Sequence, residues 1–434
     1  MTRHILTILV GLALLAAGCG GDTEGAAVGD EGAGAGAQDA ADEEVSDEDV
    51  SDTDDGTEPA GQPAGDLPEE IVVAGSISQS GPFAGAVTDF AELADAYAAM
   101  VNDEGGLDMC GQRVPLRFSF SDDASDQAQA RRLYEQAADS DPALLIGPYS
   151  SPLSFASAPV AESVGVPMLM VEANSDAIYA EGFEWVFGVL DGGTSWSDNF
   201  FATLGELDEA PASIGFVVEE NLSNQEIFEG AKANAEEAGI EVVVEETLGG
   251  DTQDFTPTIE RLRSADPDVV YVSSFEPFAV VFMRQALEQG LDPRLFHVAK
   301  YGATFVDSLG EEAEGVSGEH YWLPGVAGEG TEEFEQLLDE TGLSVGEYPW
   351  TAIRMPAFQV IRNLFETACS AEPEVLRDTL RDLSTATIAG EVSFEDNGSG
   401  TMNPFPSQIQ GGEFVVVGPP DADAEVAPFA YPND

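Results

Sequence analysis

Lysine is almost absent from this chain. Only Lys232 and Lys300 occur, and the basic residues together number 15 against 82 acidic ones, for a formal net charge of -67. Nucleic acid and anionic lipid are held through clustered Lys and Arg, and no such cluster exists here, so neither is expected as a partner. The acidity reads as a solubilising surface suited to a salty medium that screens self-repulsion. Histidine is nearly as scarce: after His4 come only His297 and His320, both inside apparent strands and without zinc-ligand spacing. No glycine loop able to cradle a phosphate is present. The pattern "GLSVG" at 342–346 matches a nucleophile elbow, which needs a strand before it and a helix after it. Here it follows the helical "TEEFEQLLDET" and runs into Tyr348-Pro349, so Gly342 reads as a helix C-cap. No catalytic residue, cofactor or metal is therefore expected, and the chain is not read as an enzyme.

What is present is a chain of 434 residues with 43% hydrophobic content, enough for two domains with real cores. A basic start (Arg3, His4) leads into the apolar run Ile5 to Leu15, too short to span a bilayer once mature and flanked like a signal peptide. The following Leu15-Ala16-Ala17-Gly18-Cys19 resembles the lipobox of bacterial lipoproteins, in which cleavage before the cysteine is coupled to its lipidation. The resemblance implies a signal peptide over 1–18 and an anchor at Cys19 on the extracytoplasmic face of the cell membrane. Residues 20–66 are rich in Gly, Ala, Asp, Glu, Ser and Thr, with no Lys, Arg or aromatic residue, and cannot bury enough apolar surface to fold. With Cys19 they read as an acidic, extended, disordered tether.

From Ile71 the pattern alternates between strand and helix. "IVVAGS" reads as a buried strand; Phe90, Leu93, Ala94, Tyr97 and Val101 share one helical face, which Gly105-Gly106 ends. "VPLRFSF" alternates as a strand, Asp126 is placed to cap the next helix, and "ALLIG" and "VPMLMV" supply two further strands. The same order recurs at "SIGFVV", "IEVVVEE", "DVVYVSS" and "LFHVA". Two blocks of this kind imply an α/β fold of two doubly wound parallel-sheet lobes, which bind ligands at the carboxyl ends of their strands. Ser150 and Ser151 fall just beyond "ALLIG", at the start of a helix whose free N–H groups favour an anion such as a carboxylate, although serine there also commonly caps its own helix.

In order and spacing, "VAGSISQSGPFAG", "VNDEGGL", "DDASDQAQA", "IGPYSSP", "GVPML" and "YVSSFEPFAVVFMRQALEQGL" resemble the leucine/isoleucine/valine-binding proteins of branched-chain amino-acid ABC transporters, which are type 1 periplasmic binding proteins. The resemblance runs from about Ile71 to about Val417. It implies a Venus-flytrap architecture with a three-crossover hinge: lobe 1 from 67–189 and 321–388, lobe 2 from 190–320 and 389–434. It implies a monomer that closes its cleft over a solute and delivers it to ABC permease subunits, with a ligand sensor feeding a receptor as the alternative on the same fold.

Residue by residue, the carboxylate positions fall on Ser151, with Ser150 beside it, and on Ala173 and Asn174, where Asn replaces the usual Thr or Ser but keeps a side-chain donor. The glutamate that holds the ammonium has no clean counterpart, and the nearest match is Lys300. A cation there repels an ammonium by on the order of several kcal/mol at short range. Either Glu276 takes the amine, or the ligand is an amine-free carboxylate or amide that offers an acceptor to Lys300, or Lys300 is an exposed loop residue. The aromatic positions lining the site have become Ala86 and Ser223, leaving room for a larger ligand, while Phe83, Trp196, Phe275 and Tyr301 are candidate walls. Two cysteines remain after Cys19; in an exported protein Cys110 and Cys369 suggest a disulfide, and the resemblance places both in lobe 1.

Overall fold

The computed structural model describes residues 67–87, 89–343, 349–419 and 424–430. The expected signal peptide, Cys19 and the acidic tether lie outside the described residues, as do 344–348 of "GLSVG"; Gly342, within them, ends its helix at φ 70° with its N–H on the Leu338 carbonyl.

The first part of lobe 1 runs through β1 (Ile71–Ile77), α1 (Phe90–Asp103), the separate hairpin β2 (Leu107–Met109) and β3 (Gln112–Val114), then β4 (Leu116–Asp122), α2 (Gln127–Ala138), β5 (Leu144–Ile146), α3 (Ser151–Val164), β6 (Met168–Met170), α4 (Asp176–Ala180) and β7 (Val186–Gly188). The main sheet has the order β4-β1-β5-β6-β7, all parallel. The anticipated stripe of α1 is buried throughout, and Asp126 caps α2 by accepting the Gln129 N–H at 2.7 Å. β7 has no counterpart in the sequence expectations.

The chain then crosses to a second sheet through α5 (Asp198–Gly205), β8 (Ser213–Glu219), α6 (Leu222–Glu237), β9 (Glu241–Leu248), α7 (Thr256–Ala265), β10 (Val269–Ser273), α8 (Glu276–Glu288), β11 (Leu295–Val298), α9 (Ala303–Leu309) and β12 (Ser317–His320). It returns to the first lobe with α10 (Thr331–Thr341), α11 (Pro349–Ala368), α12 (Pro373–Asp382) and the hairpin β13 (Thr385–Thr387) and β14 (Gly390–Val392), α10 and α11 packing on α1. A third crossing leads to β15 (Phe405–Gln410) and β16 (Glu413–Val416), giving the order β16-β15-β12-β11-β10-β8-β9. The molecule thus has two doubly wound α/β lobes. One correction applies: β15 and β16 run antiparallel, because the returning chain meets β12 head-on and then reverses at Gly411-Gly412, whose φ values of 65° and 83° suit a tight hairpin.

Within each lobe the first strand lies between the second and the third, so the direction of winding reverses between β1 and β5 and again between β8 and β10. These reversals leave a crevice beyond the strand ends of each sheet. Central strands such as β10 are buried along their whole length, as parallel strands covered on both faces must be.

A Cys110–Cys369 disulfide ties the end of β2 to the end of α11 across 259 residues of chain. Closing so long a loop restricts the unfolded ensemble, so the Cys110→Ser and Cys369→Ser double variant is expected to lose about 3–5 kcal/mol in denaturant unfolding. A loss below 1 kcal/mol would show that the bridge adds little to what α10 and α11 already hold on α1.

Candidate ligand-binding site

The segments beyond the strand ends converge between the lobes. β5 lies so close to β6 that a Cβ on Gly147 would come within 3.0 Å of Met170 Cα, so glycine permits this approach just before the chain turns into α3. Ser150 occupies the N-cap position of α3 but makes no capping bond, and its buried Oγ has no partner. Ser151, the first residue of α3, accepts the Asn174 N–H at 3.2 Å and donates to Asn174 Oδ1 at 3.3 Å. Neither serine therefore serves its own helix. Asn174 follows β6; its Oδ1 also accepts from Ser223 of α6 at 2.7 Å, a hydrogen bond between the lobes, while its Nδ2 has no partner.

Lys300 follows β11 and is 4% exposed, which overturns its reading as a surface loop residue. Its Nζ donates to Ser223 Oγ at 2.8 Å and Asn224 Oδ1 at 3.0 Å, and lies 4.9 Å from the Phe275 ring centroid and 5.4 Å from that of Trp196. Burial pushes its pKa down to about 7, against the opposing pull of Glu219, Glu226 and Glu319.

Two cavities meet at this lysine. An inner chamber of about 10 Å³ is lined by Ser150, Ser151, Glu172, Asn174, Leu190, Trp196 and Ser223. An outer cavity of about 310 Å³ is lined by Phe83, Ala86, Glu219, Glu276, Phe278 and Tyr301. Tyr149, Phe275 and Lys300 border both. The rings of Phe83, Tyr149 and Phe275 form a mutual cluster with centroids 5.5–6.4 Å apart, drawing walls from both lobes.

The structure thus brings together Ser150, Ser151, Asn174, Ser223, Trp196, Phe275 and Lys300 around the inner chamber. Phe83 and Glu276 face the outer cavity. Glu276 begins α8, its Oε1 has no partner, and burial pushes its pKa up to about 7, against backbone N–H groups of Phe305 and Gly302. Tyr301 lines the outer cavity, while its hydroxyl meets Ser407 Oγ at 2.8 Å and its ring packs with Phe305, His320 and Phe414 in the second core. The Ala173 side chain is fully buried in a core cluster with Met168 and Met170 and is not among the residues lining either cavity.

Several lining residues carry no mark in the sequence, among them Tyr149, Leu190 and Phe278, whose apolar or aromatic side chains are those of ordinary core. Glu219 ends β8, and its Oε2 accepts the Phe275 N–H at 2.7 Å and Asn224 Nδ2 at 3.2 Å. Glu172 interrupts the apolar run before Ala173, and a carboxylate there requires a partner. That partner is Arg354 of α11, whose Nε and Nη2 donate to Glu172 Oε1 at 2.9 and 2.8 Å and whose Nη1 pairs with Asp89.

Hydroxyls and amides from strand ends thus stand on both sides of a cleft with an ammonium among them. A family model described as periplasmic binding protein matches residues 70–413. The chain is 25% identical over 347 residues to the leucine-, isoleucine-, valine-, threonine- and alanine-binding protein of Pseudomonas aeruginosa, covering 74% of this chain and 86% of that one. Among solved structures, the branched-chain amino acid transporter substrate binding protein LivJ of Streptococcus pneumoniae, in complex with isoleucine, superposes with a TM-score of 0.69 at 17% identity, covering 84% of this chain and 100% of that one. A solute binding protein of an R. palustris ABC transporter, in complex with benzoate, gives a TM-score of 0.67 at 18% identity over 83% and 98% of the two chains. With the two-lobed fold, the cleft and the match over most of its length, the chain belongs to the periplasmic binding protein family.

Proposed function

We propose that this protein is the extracytoplasmic solute-binding component of an ABC importer, tethered through Cys19, and that it captures a small carboxylate between its lobes for delivery to the permease. The observation that carries this reading is the buried Lys300 ammonium, held by Ser223 and Asn224, lining one chamber with Ser150 and Asn174, whose buried Oγ and Nδ2 have no partners. A buried cation and unpaired donors are costly unless a ligand satisfies them. A carboxylate supplies both the charge and the acceptors, and the aromatic outer cavity gives its apolar body somewhere to lie. Ligand binding then favours the closed lobes by its greater affinity for them.

Thermal unfolding of the purified protein in high salt tests this against aliphatic amino acids, matched amine-free carboxylic acids, dicarboxylates and short amides. A ligand specific to the native state raises the melting temperature by mass action. Monocarboxylates are expected to raise it and their amides to leave it unchanged. The same shift with amides as with acids would remove the anion from the description of the site.

A further inference from the structure

Glu172 is buried in the wall of the inner chamber, and its two oxygens have different fates. Oε1 receives both hydrogen bonds from Arg354, whereas Oε2 has no partner. A buried carboxylate oxygen left without a donor is uncommon and costly. One guanidinium, that of Arg354, serves both Glu172 and Asp89, so the cluster favours a further donor or cation. The same chamber offers the opposite chemistry nearby, in Ser150 Oγ, Asn174 Nδ2 and the Lys300 ammonium.

With the lobes as close as they are here, about 10 Å³ holds roughly one water, so these groups surround a single small polar head. A larger head enters as the lobes part. The group that satisfies them together accepts from Ser150, Asn174 and Lys300 and donates to Glu172. Building on the carboxylate reading above, we propose that Glu172 is a specificity-determining residue, its Oε2 accepting a hydrogen bond from an amino or hydroxyl group on the carbon next to the ligand's carboxylate. The preferred solutes are α-amino or α-hydroxy acids. An unsubstituted acid satisfies the donors but brings its own oxygens near an unpaired carboxylate oxygen and gives it nothing to accept.

Calorimetry of the purified protein with two matched sets tests this: 4-methylpentanoate, 2-hydroxy-4-methylpentanoate and leucine, and 3-phenylpropanoate, phenyllactate and phenylalanine. In at least one set an α-substituted acid is expected to bind at least tenfold more tightly than the unsubstituted one, and the hydroxyl and ammonium arms identify which donor is preferred. In Glu172→Gln, Arg354 keeps the amide oxygen and turns the amide nitrogen toward the ligand, donor against donor for an ammonium, whereas a hydroxyl can turn to accept. The tenfold gap then closes for the amino acid while binding of the unsubstituted acid is retained. Equal affinities within both sets for the wild type would overturn the role of Glu172 and leave carboxylate capture standing, and this needs no variant to fold. A parallel loss for every acid in Glu172→Gln would likewise reduce Glu172 to a structural partner of Arg354. No binding by any of the six acids would overturn carboxylate capture itself, and this inference with it.

Discussion

Lys300→Met will weaken carboxylate binding on the order of 10²-fold, because truncating one member of a buried, hydrogen-bonded charge pair leaves the other desolvated and alone. Calorimetry at fixed pH reads this directly, and a loss below fivefold would place the carboxylate elsewhere. The wild type should also show a characteristic pH dependence. Lys300 has its pKa pushed down to about 7 by burial, and a bound carboxylate holds the proton on it. Affinity is therefore fullest below pH 7 and falls as pH rises, approaching tenfold per unit. Glu276, pushed up to about 7 by burial, loses its proton over the same interval and steepens the fall, whereas ionising Glu172, also raised to about 7, does so only for acids that carry no α-donor for its Oε2. Glu219, whose carboxyl is also raised by burial, adds in the same sense. Lys300→Arg, which keeps its charge, should show the shallower slope of the carboxylates alone; an unchanged slope would mean that Lys300 does not titrate in the cleft.

The sign of the stability effect separates this from unfolding. With a folded pKa of about 7 against an ordinary value of 10.5, the unfolded chain binds more protons at Lys300 between those limits, so this group costs the fold stability below pH 7 and the cost disappears as pH rises through the window. Lys300→Met should therefore unfold at pH 6 no more easily than the wild type, even as binding collapses.

A loss of stability as large as that of the disulfide variant is expected from Arg354→Met. Arg354 is fully buried, pairs with Asp89 and Glu172, and donates from Nη2 to the Ala86 carbonyl at 2.7 Å. Removing the cation leaves two carboxylates facing each other in the core, a change that costs about 3–5 kcal/mol. Urea unfolding measures it. The deficit should be greatest above pH 7 and shrink as pH falls, since protonation relieves the same repulsion, and Glu172→Gln in the same chain should recover part of it. A deficit that stays constant down to pH 5 would point to lost packing against Phe90, whose ring centroid lies 4.8 Å from the guanidinium, instead of lost charge.

Local chemistry made much of the fold legible. The stripe from Phe90 to Val101 has helical spacing, Asp126 is a cap by type and place, and the apolar runs at Leu144 and Val269 are long enough to signal buried strands. β2, β3, β13 and β14 are three residues each and carry no such period. The site divides in the same way. Ser150 and Ser151 were marked by a helix start, whereas Asn174 was reached only through the family resemblance. Lys300 was singled out by position, but only the enclosure by Trp196 and Phe275 decides between a solvated lysine and a buried ammonium. Glu172 was unreadable, since its partner lies 182 residues away and nothing near it in sequence foretells an ion pair.

Helix α6 joins the first lobe at two neighbouring places. Ser223 bonds Asn174 at 2.7 Å, and the Glu226 carboxylate, one turn later, accepts from Ser175 Oγ at 2.9 Å and from the Asp176 and Ala177 N–H groups at 3.0 and 3.1 Å. Residues 174–177 are consecutive, so these four bonds form a single seam. Separating the lobes along it cannot proceed bond by bond: a rigid helix withdraws Ser223 and Glu226 together, and the latter leaves the start of α4 without its acceptor. Opening along this path resembles releasing a clasp: the four bonds of the seam are lost in one step, whatever else the cleft holds.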